Sequence, residues 1–490
     1  MALKKSALLI ACWAGCVPAV AQEAKPAPGG QVAEAATSLY PADRAYLRER
    51  LELMRRTQVP DFDRVITSNG WPAFTRAVSA SRGAVVFAAS SPVVKQWVED
   101  GGSNSGRSSQ DLLDAAAGLR NDATPELIAE GRRFLDQFNS SNLAFELDAL
   151  SNEVAFVASD MLESPAMLHL LPHLGDARQA ARLCAARISY ASIAGDEKAL
   201  IRAFTNMQAL AKACSHEGYM ISSLVSNAID NLACQRLTEV LAARPVSAAT
   251  LRELLNVTEG SSRADWAVAI DGERLCTLDT LNWVYVTSNY KLLEAMQSSN
   301  GKRITDGIVG KLKSWGYAPR EEALSKVDSY FLAIKPAFDA DPVAAAAATS
   351  KAEGIAKEVN DSARLAPAAI LIPTLVRAVQ VERTTRTMRA GLRIVLAAEI
   401  YKAEQGKLPE SIDDLAATIG KAPLVDWEDP ARLPPRYAKR DGAPGYVVYS
   451  VGRDGTDNRG TRDAANQFGE PGKNEAADFI LSWVEPPAGQ

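Results

Sequence analysis

The sequence predicts a mainly α-helical protein, built of helical hairpins with solenoid-like stacking as one form of it, followed by a small α+β domain with an antiparallel sheet. Three observations predict this class. Aromatic residues make up only 7% of the chain although 47% is hydrophobic, and small residues let helices approach closely. Apolar residues recur at helical spacing through most of the first 380 positions. Near the end the period changes to an alternation, Tyr446-Val447-Val448-Tyr449-Ser450-Val451, as in a strand.

Residues 1–21 read as an export signal. Lys4 and Lys5 form the basic start, Ala7 to Ala14 the apolar core, and Ala19-Val20-Ala21 the cleavage site. A periplasmic or secreted location follows, with Gln22 first. The alternative is a lipoprotein, through Leu9-Ile10-Ala11-Cys12 or Trp13-Ala14-Gly15-Cys16. Removing residues 1–21 takes two Lys and no acid, so the formal charge moves from −5 to −7. A mildly acidic chain is not built to hold nucleic acid, which needs a strongly basic surface. After signal cleavage no transmembrane anchor is expected. Leu365 to Val379 comes nearest, but it is short and holds Pro367, Pro373 and Arg377.

Residues 22–37, rich in Ala, Pro and Gly, read as a flexible linker. A helical domain is assigned to 38–380. It opens with Tyr46, Leu47, Leu51 and Met54 at helical spacing and breaks at Asn69-Gly70-Trp71-Pro72. Ala84 to Ala88 fits a short strand or a buried helix turn. Pro125 sits at an early helical position. The clearest block is 177–243: a helix from about Arg178 to Ala194, a Gly195-Asp196 stop, a helix over Glu197 to Ser215, and a third over Tyr219 to Ala243. Helix, Gly-Asp turn, helix resembles a tetratricopeptide-type hairpin, in one degenerate copy where an array needs several.

Chemistry in the helical domain is sparse. His169 and His173 are four apart, but Pro172 lies between them and no third ligand is evident. His216 falls where a helix ends. Ser288-Asn289-Tyr290-Lys291 fits a Ser-x-x-Lys pattern without its Lys-Thr-Gly companion. Asp265 and Asp271 flank Trp266. Arg386, Arg389 and Arg393 share one helix face, with Arg383 before them. That face is either solvated or a docking surface for an acidic partner.

Residues 381–485 carry the most informative signal. A helix over 384–406 stops at Gly406, and Leu408-Pro409 prevents its continuation. Ser411, Asp413 and Asp414 start a short helix ending near Ile419. Asp426-Trp427-Glu428-Asp429-Pro430 and Pro435-Arg436-Tyr437 follow. Strands are expected at Arg436–Lys439, Tyr446–Val451 and Asp478–Val484. This order resembles the globular part of the major pseudopilins of type II secretion systems. The resemblance implies a long helix packed on a small antiparallel sheet, an assembly role, and a calcium-holding acidic loop. The family's acidic positions fall on Asp454 and Asp478, with Asp457 or Glu475 as a substitute where Ala476 replaces a third acid. Calcium takes six to eight oxygens.

After signal removal Cys184, Cys214, Cys234 and Cys276 remain. If the first and third helices of the 177–243 block run parallel, Cys184 and Cys234 each lie about ten residues from the same end. At about 1.5 Å per residue they are then level, and a bridge is feasible if those helices touch. Buried free thiols are the other reading. Together these features favour an exported, non-catalytic scaffold or assembly protein with protein partners in the cell envelope, linked to type II secretion. The alternative is an exported hydrolase using carboxylates of the helical domain.

Overall fold

In the computed structural model, the residues described are 69–101, 111–118, 122–153, 171–260, 266–287, 316–373, 375–420, 424–441, 445–453, 455–461 and 478–482, with Tyr46, Glu49, Glu52, Leu53, Phe156, Pro165 and Ala166. The chain is mostly helical and ends in a small antiparallel sheet.

Helices α1 (Trp71–Ala89), α2 (Pro92–Gly101), α3 (Asp111–Ala116), α4 (Pro125–Asn139) and α5 (Asn142–Ala149) come first. Ala84 to Ala88 lies within α1, so the buried-helix alternative holds there. Pro125 opens α4 at its first position, behind Thr124, whose hydroxyl accepts from Leu127 N at 3.2 Å.

The 177–243 block forms α6 (Pro172–Ala194), α7 (Glu197–Ser215) and α8 (Met220–Ala243). Helix α6 starts earlier than the periodicity suggests, because Pro172 occupies its first turn. Gly195 ends it at φ 71°, a left-handed conformation that glycine adopts without cost. Asp196 then caps α7 through Ala199 N at 3.0 Å. The three helices pack on one another pairwise, and α9 (Ala248–Gly260) joins them.

Next come α10 (Trp266–Thr287), α11 (Arg320–Ile334), α12 (Pro342–Asp361) and α13 (Ala366–Leu371). The longest element, α14, spans Val376–Gln405 and stops at Gly406, φ 66°. It starts before residue 384 and runs unbroken across the boundary expected at 380–381. A capping box of Ser411 and Asp414 opens the 3₁₀ turn Ile412–Leu415, which leads into α15 (Ala416–Ile419). Strands β1 (Arg436–Lys439), β2 (Tyr446–Ser450) and β3 (Phe479–Ile480) form an antiparallel sheet in the order β1-β2-β3.

Two main cores result. One unites helices α1 and α6 to α9, among others, with Leu392 to Ile400 of α14 and with Tyr446, Val448 and Phe479 of the sheet. The other is built by α10 to α13 and takes in Ala378 and Val379 from the start of α14. Helix α14 is therefore shared: its first turns serve one core and its later turns the other. Leu365, Leu371, Leu375 and Val379, from the most apolar stretch of the sequence, are buried in the second core.

Every residue of β2 is buried. Tyr446 and Val448 face α14, and the Tyr446 hydroxyl donates to Glu399 Oε1 at 2.9 Å. Val447, Tyr449 and Val451 form a separate small cluster with Ala438 and Ile480. Gly460 covers that face so closely that an added Cβ would lie 3.0 Å from Val447 Cγ1.

Candidate functional site

Helix α14 carries Arg383, Arg386, Arg389 and Arg393 at spacings of three and four, which bring them to neighbouring faces. Arg386 Nε donates to Glu382 Oε1 at 2.5 Å and its Nη1 to Asp339 Oδ1 at 2.9 Å. Arg389 Nε lies 3.6 Å from Asp230 Oδ2 on α8, and its Nη2 donates to the Thr258 carbonyl at 3.2 Å. Arg393 Nη2 donates to Glu259 Oε1 at 2.8 Å and to the Ile419 carbonyl at 3.1 Å. The row expected to be solvated, or to dock an acidic partner, is spent inside the chain. Its acidic counterpart is supplied by α8, α9 and the turn before α12.

Between α8 and α14 lies a polar cavity of about 250 Å³. Asp230, Glu382 and Asp339 line it, together with Asn227, Arg386 and Arg389. Asp230 and Glu382 are 2% and 7% exposed. Gln208 Nε2 donates to Asp230 Oδ1 at 3.0 Å, and Asn227 Nδ2 donates to Glu382 Oε2 at 2.9 Å. Each acid thus has a guanidinium and, for the two buried ones, an amide donor as well. Burial acts to lower the pKa of Arg386. The charge of Glu382 and the bonds to Glu382 and Asp339 outweigh it and hold the group above the usual arginine value. This is the arrangement of a structural ion network, in which each charge is taken from water but keeps a partner.

The guanidinium of Arg386 also lies over the Trp427 ring, 4.4 Å from its centroid, and that of Arg432 at 4.0 Å. Arg432 holds φ 52°, rare for a side chain of its size. Glu428 is buried, accepting from Thr384 Oγ1 at 2.6 Å and from Arg453 Nε at 2.9 Å. Burial pushes the pKa of Arg383 below the usual arginine value; Glu428 opposes this, while Arg432, Arg453 and Arg386 push the same way. The motif Asp426-Trp427-Glu428-Asp429-Pro430 singled out this segment, but nothing in its spacing pointed to the arginines of α14.

The expected metal ligands are placed as follows. Asp454 and Glu475 lie outside the described residues. Asp478 is 3% exposed; its Oδ2 accepts from Gly460 N at 2.7 Å and its Oδ1 from Asn458 N at 3.3 Å. Asp457 Oδ1 accepts from Arg459 N at 2.8 Å and from the Tyr449 hydroxyl at 3.0 Å. Both carboxylates thus fix the turn that covers β2. Burial, with the charge of Asp457, raises the Asp478 pKa above its usual value, against the pull of the Asn458, Gly460 and Thr461 amides. Among the described residues no group of three potential ligands converges, so these alone do not make a calcium shell.

The Cys184–Cys234 bridge is not formed in this structure. Cys184 and Cys234 sit on α6 and α8, which touch, yet none of the four described cysteines is in a disulfide, and all four are buried. Each serves as a small apolar core residue. Burial pushes the Cys184 thiol up to about 11.

His169, Asp265 and Ser288 to Lys291 lie outside the described residues. His173 Nε2 meets Glu217 Oε1 at 2.9 Å, and the Ser222 hydroxyl donates to the other oxygen of Glu217. Glu217 is fully buried, and the Trp71 and Phe74 rings meet His173 edge-on. The serine faces the carboxylate rather than the imidazole, so the trio is a buried tie between α6 and the α7–α8 turn. His216 lies against the Phe156 ring. Asp271 pairs with Lys335 at 2.5 Å. No family model matches this chain, and no curated protein or solved structure does either.

Proposed function

We propose that the protein is an exported, non-catalytic scaffold that acts through protein contacts in the cell envelope, with its C-terminal sheet fixed on a helical body. The observation that carries this reading is the shared helix α14. Its Arg386, Arg389 and Arg393 pair with Asp339, Asp230 and Glu259 of the helical region, while its later turns pack on β2. A module held in this way presents its surface in one orientation, which suits assembly. The long helix on an antiparallel sheet, and the resemblance to pseudopilins in element order, make a secretion apparatus the class of partner.

The cavity between α8 and α14 is what a carboxylate-using hydrolase would employ. There Asp230 and Glu382 are each matched by an arginine, an arrangement that favours holding two helices together over transferring a proton. The test is reciprocal capture. The chain from Gln22 onward, immobilised, should retain one saturable envelope partner, and that partner, tagged, should recover the chain. Glu382→Gln should leave capture intact. Absence of a saturable partner, combined with a hydrolytic turnover that Glu382→Gln abolishes, would overturn the proposal in favour of the enzyme.

A further inference from the structure

A second cavity, of about 340 Å³, lies between α12, α14 and the turn at Glu428. Thr349 and Ser350 reach it from α12, Gln380 and Arg383 from α14, and Arg453 from the end of β2. We propose that this cavity binds the anionic head of a small ligand, a phosphate or a carboxylate group, held by Arg383 and Arg453.

The argument starts from an imbalance of partners. Arg383 Nε donates to the Trp427 carbonyl at 2.9 Å, but its Nη2 is buried and has no hydrogen-bond partner among the described residues. Arg432 Nε and Nη2 are in the same condition. Buried donors in folded proteins nearly always have an acceptor. The carboxylates nearby do not supply one. Glu428 is engaged by Thr384 and Arg453, and Glu382 by Asn227 and Arg386. Glu353, the other acid at this cavity, is exposed.

Arg383, Arg386 and Arg432 thus meet at Trp427 and Arg453 at the neighbouring Glu428, but only Arg383 and Arg453 line this cavity, and Arg383 has no ion pair with a carboxylate among the described residues. The pKa of Arg383 is lowered first by burial, with Arg432, Arg453 and Arg386 adding to the shift and Glu428 opposing it. A guanidinium can match two oxygens of an oxyanion, and arginine is the residue suited to that fork. The Thr349 and Ser350 hydroxyls and the Gln380 amide make no hydrogen bond among the described residues, so they are open to further oxygens of the ligand. Glu353 opposes an anion at the mouth and so limits affinity.

The test is calorimetric titration of the purified protein with inorganic phosphate and, in a second arm, with citrate. At least one should bind with a Kd of about 1 mM or tighter. Arg383→Gln should weaken that binding about tenfold or more. Arg453→Gln, at a side chain 41% exposed, should weaken it while leaving the fold unchanged by circular dichroism. Glu353→Gln should tighten it, and Arg440→Gln, at an exposed position outside the cavity, should leave it unchanged. Preference for phosphate assigns a phosphorylated ligand; preference for citrate assigns a carboxylate. Equal affinity in the wild type, Arg383→Gln and Arg453→Gln, or no binding of either anion, would overturn the proposal.

Discussion

Arg389 of α14 stands 3.6 Å from Asp230 of α8, a carboxylate only 2% exposed. A buried charge of this kind is tolerated because a cation and an amide donor accompany it. The pair stitches the helix that carries the sheet to the helical hairpins.

Removing one member should cost more than removing both. Arg389→Ala leaves Asp230 buried without its cation and should destabilise the protein by about 3–5 kcal/mol in urea unfolding. Replacing both, as Asp230→Leu with Arg389→Met, should cost far less or be neutral. Additive losses would mean that the two residues do not interact.

Gly391 sits on α14 where a Cβ would lie 2.6 Å from the Leu481 Cβ. Gly391→Ala should therefore lower stability by about 1–3 kcal/mol through overpacking, against its gain in helix propensity of about 1 kcal/mol. Stabilisation by Gly391→Ala alone would contradict the packing of Leu481, just after β3, on α14.

Asp478 should act through hydrogen bonds to the turn. Asp478→Asn replaces one acceptor of the Asn458 and Gly460 amides by a donor and should cost about 1–2 kcal/mol at neutral pH. Burial raises the Asp478 pKa, so its titration contributes stability that is complete below the usual value of 3.8 and lost as pH rises through the folded value. The wild type should therefore gain on Asp478→Asn as pH falls through that window, in paired urea titrations. The opposite slope would place the Asp478 pKa below its ordinary value.

The thiols should be silent in the native state. Cys184, Cys214, Cys234 and Cys276 are buried, and thiolate, not thiol, reacts. A chromogenic thiol reagent at mildly alkaline pH should detect none of them before denaturation and all four afterwards. Recovery of only two in denaturant would restore the Cys184–Cys234 bridge.

Much of the fold was legible in the sequence because its signals are local. The Gly195-Asp196 turn, the Gly406 stop, the Ser411 capping box and the extent of α7 and β1 all follow from neighbouring residues. What was not legible depends on contacts distant in sequence. Arg389 and Asp230 are 159 positions apart by number, and no periodicity links them, so a buried seam reads as a solvated face. Likewise nothing in the spacing shows that the Gly460 amide donates to Asp478. The start of α14 at Val376 was hidden because Ile372-Pro373 reads as a break, and the helix resumes just after it.

The measurement that bears most directly on the central claim is native-state hydrogen exchange. If α14 joins the sheet and the hairpins into one body, the amides of β2 at 446–450 and the core amides of α7 should open with the same free energy as global unfolding. Arg389→Ala should lower both together. Exchange of β2 at a much lower free energy, with α7 unaffected, would show that the sheet is an independent unit and would contradict the account.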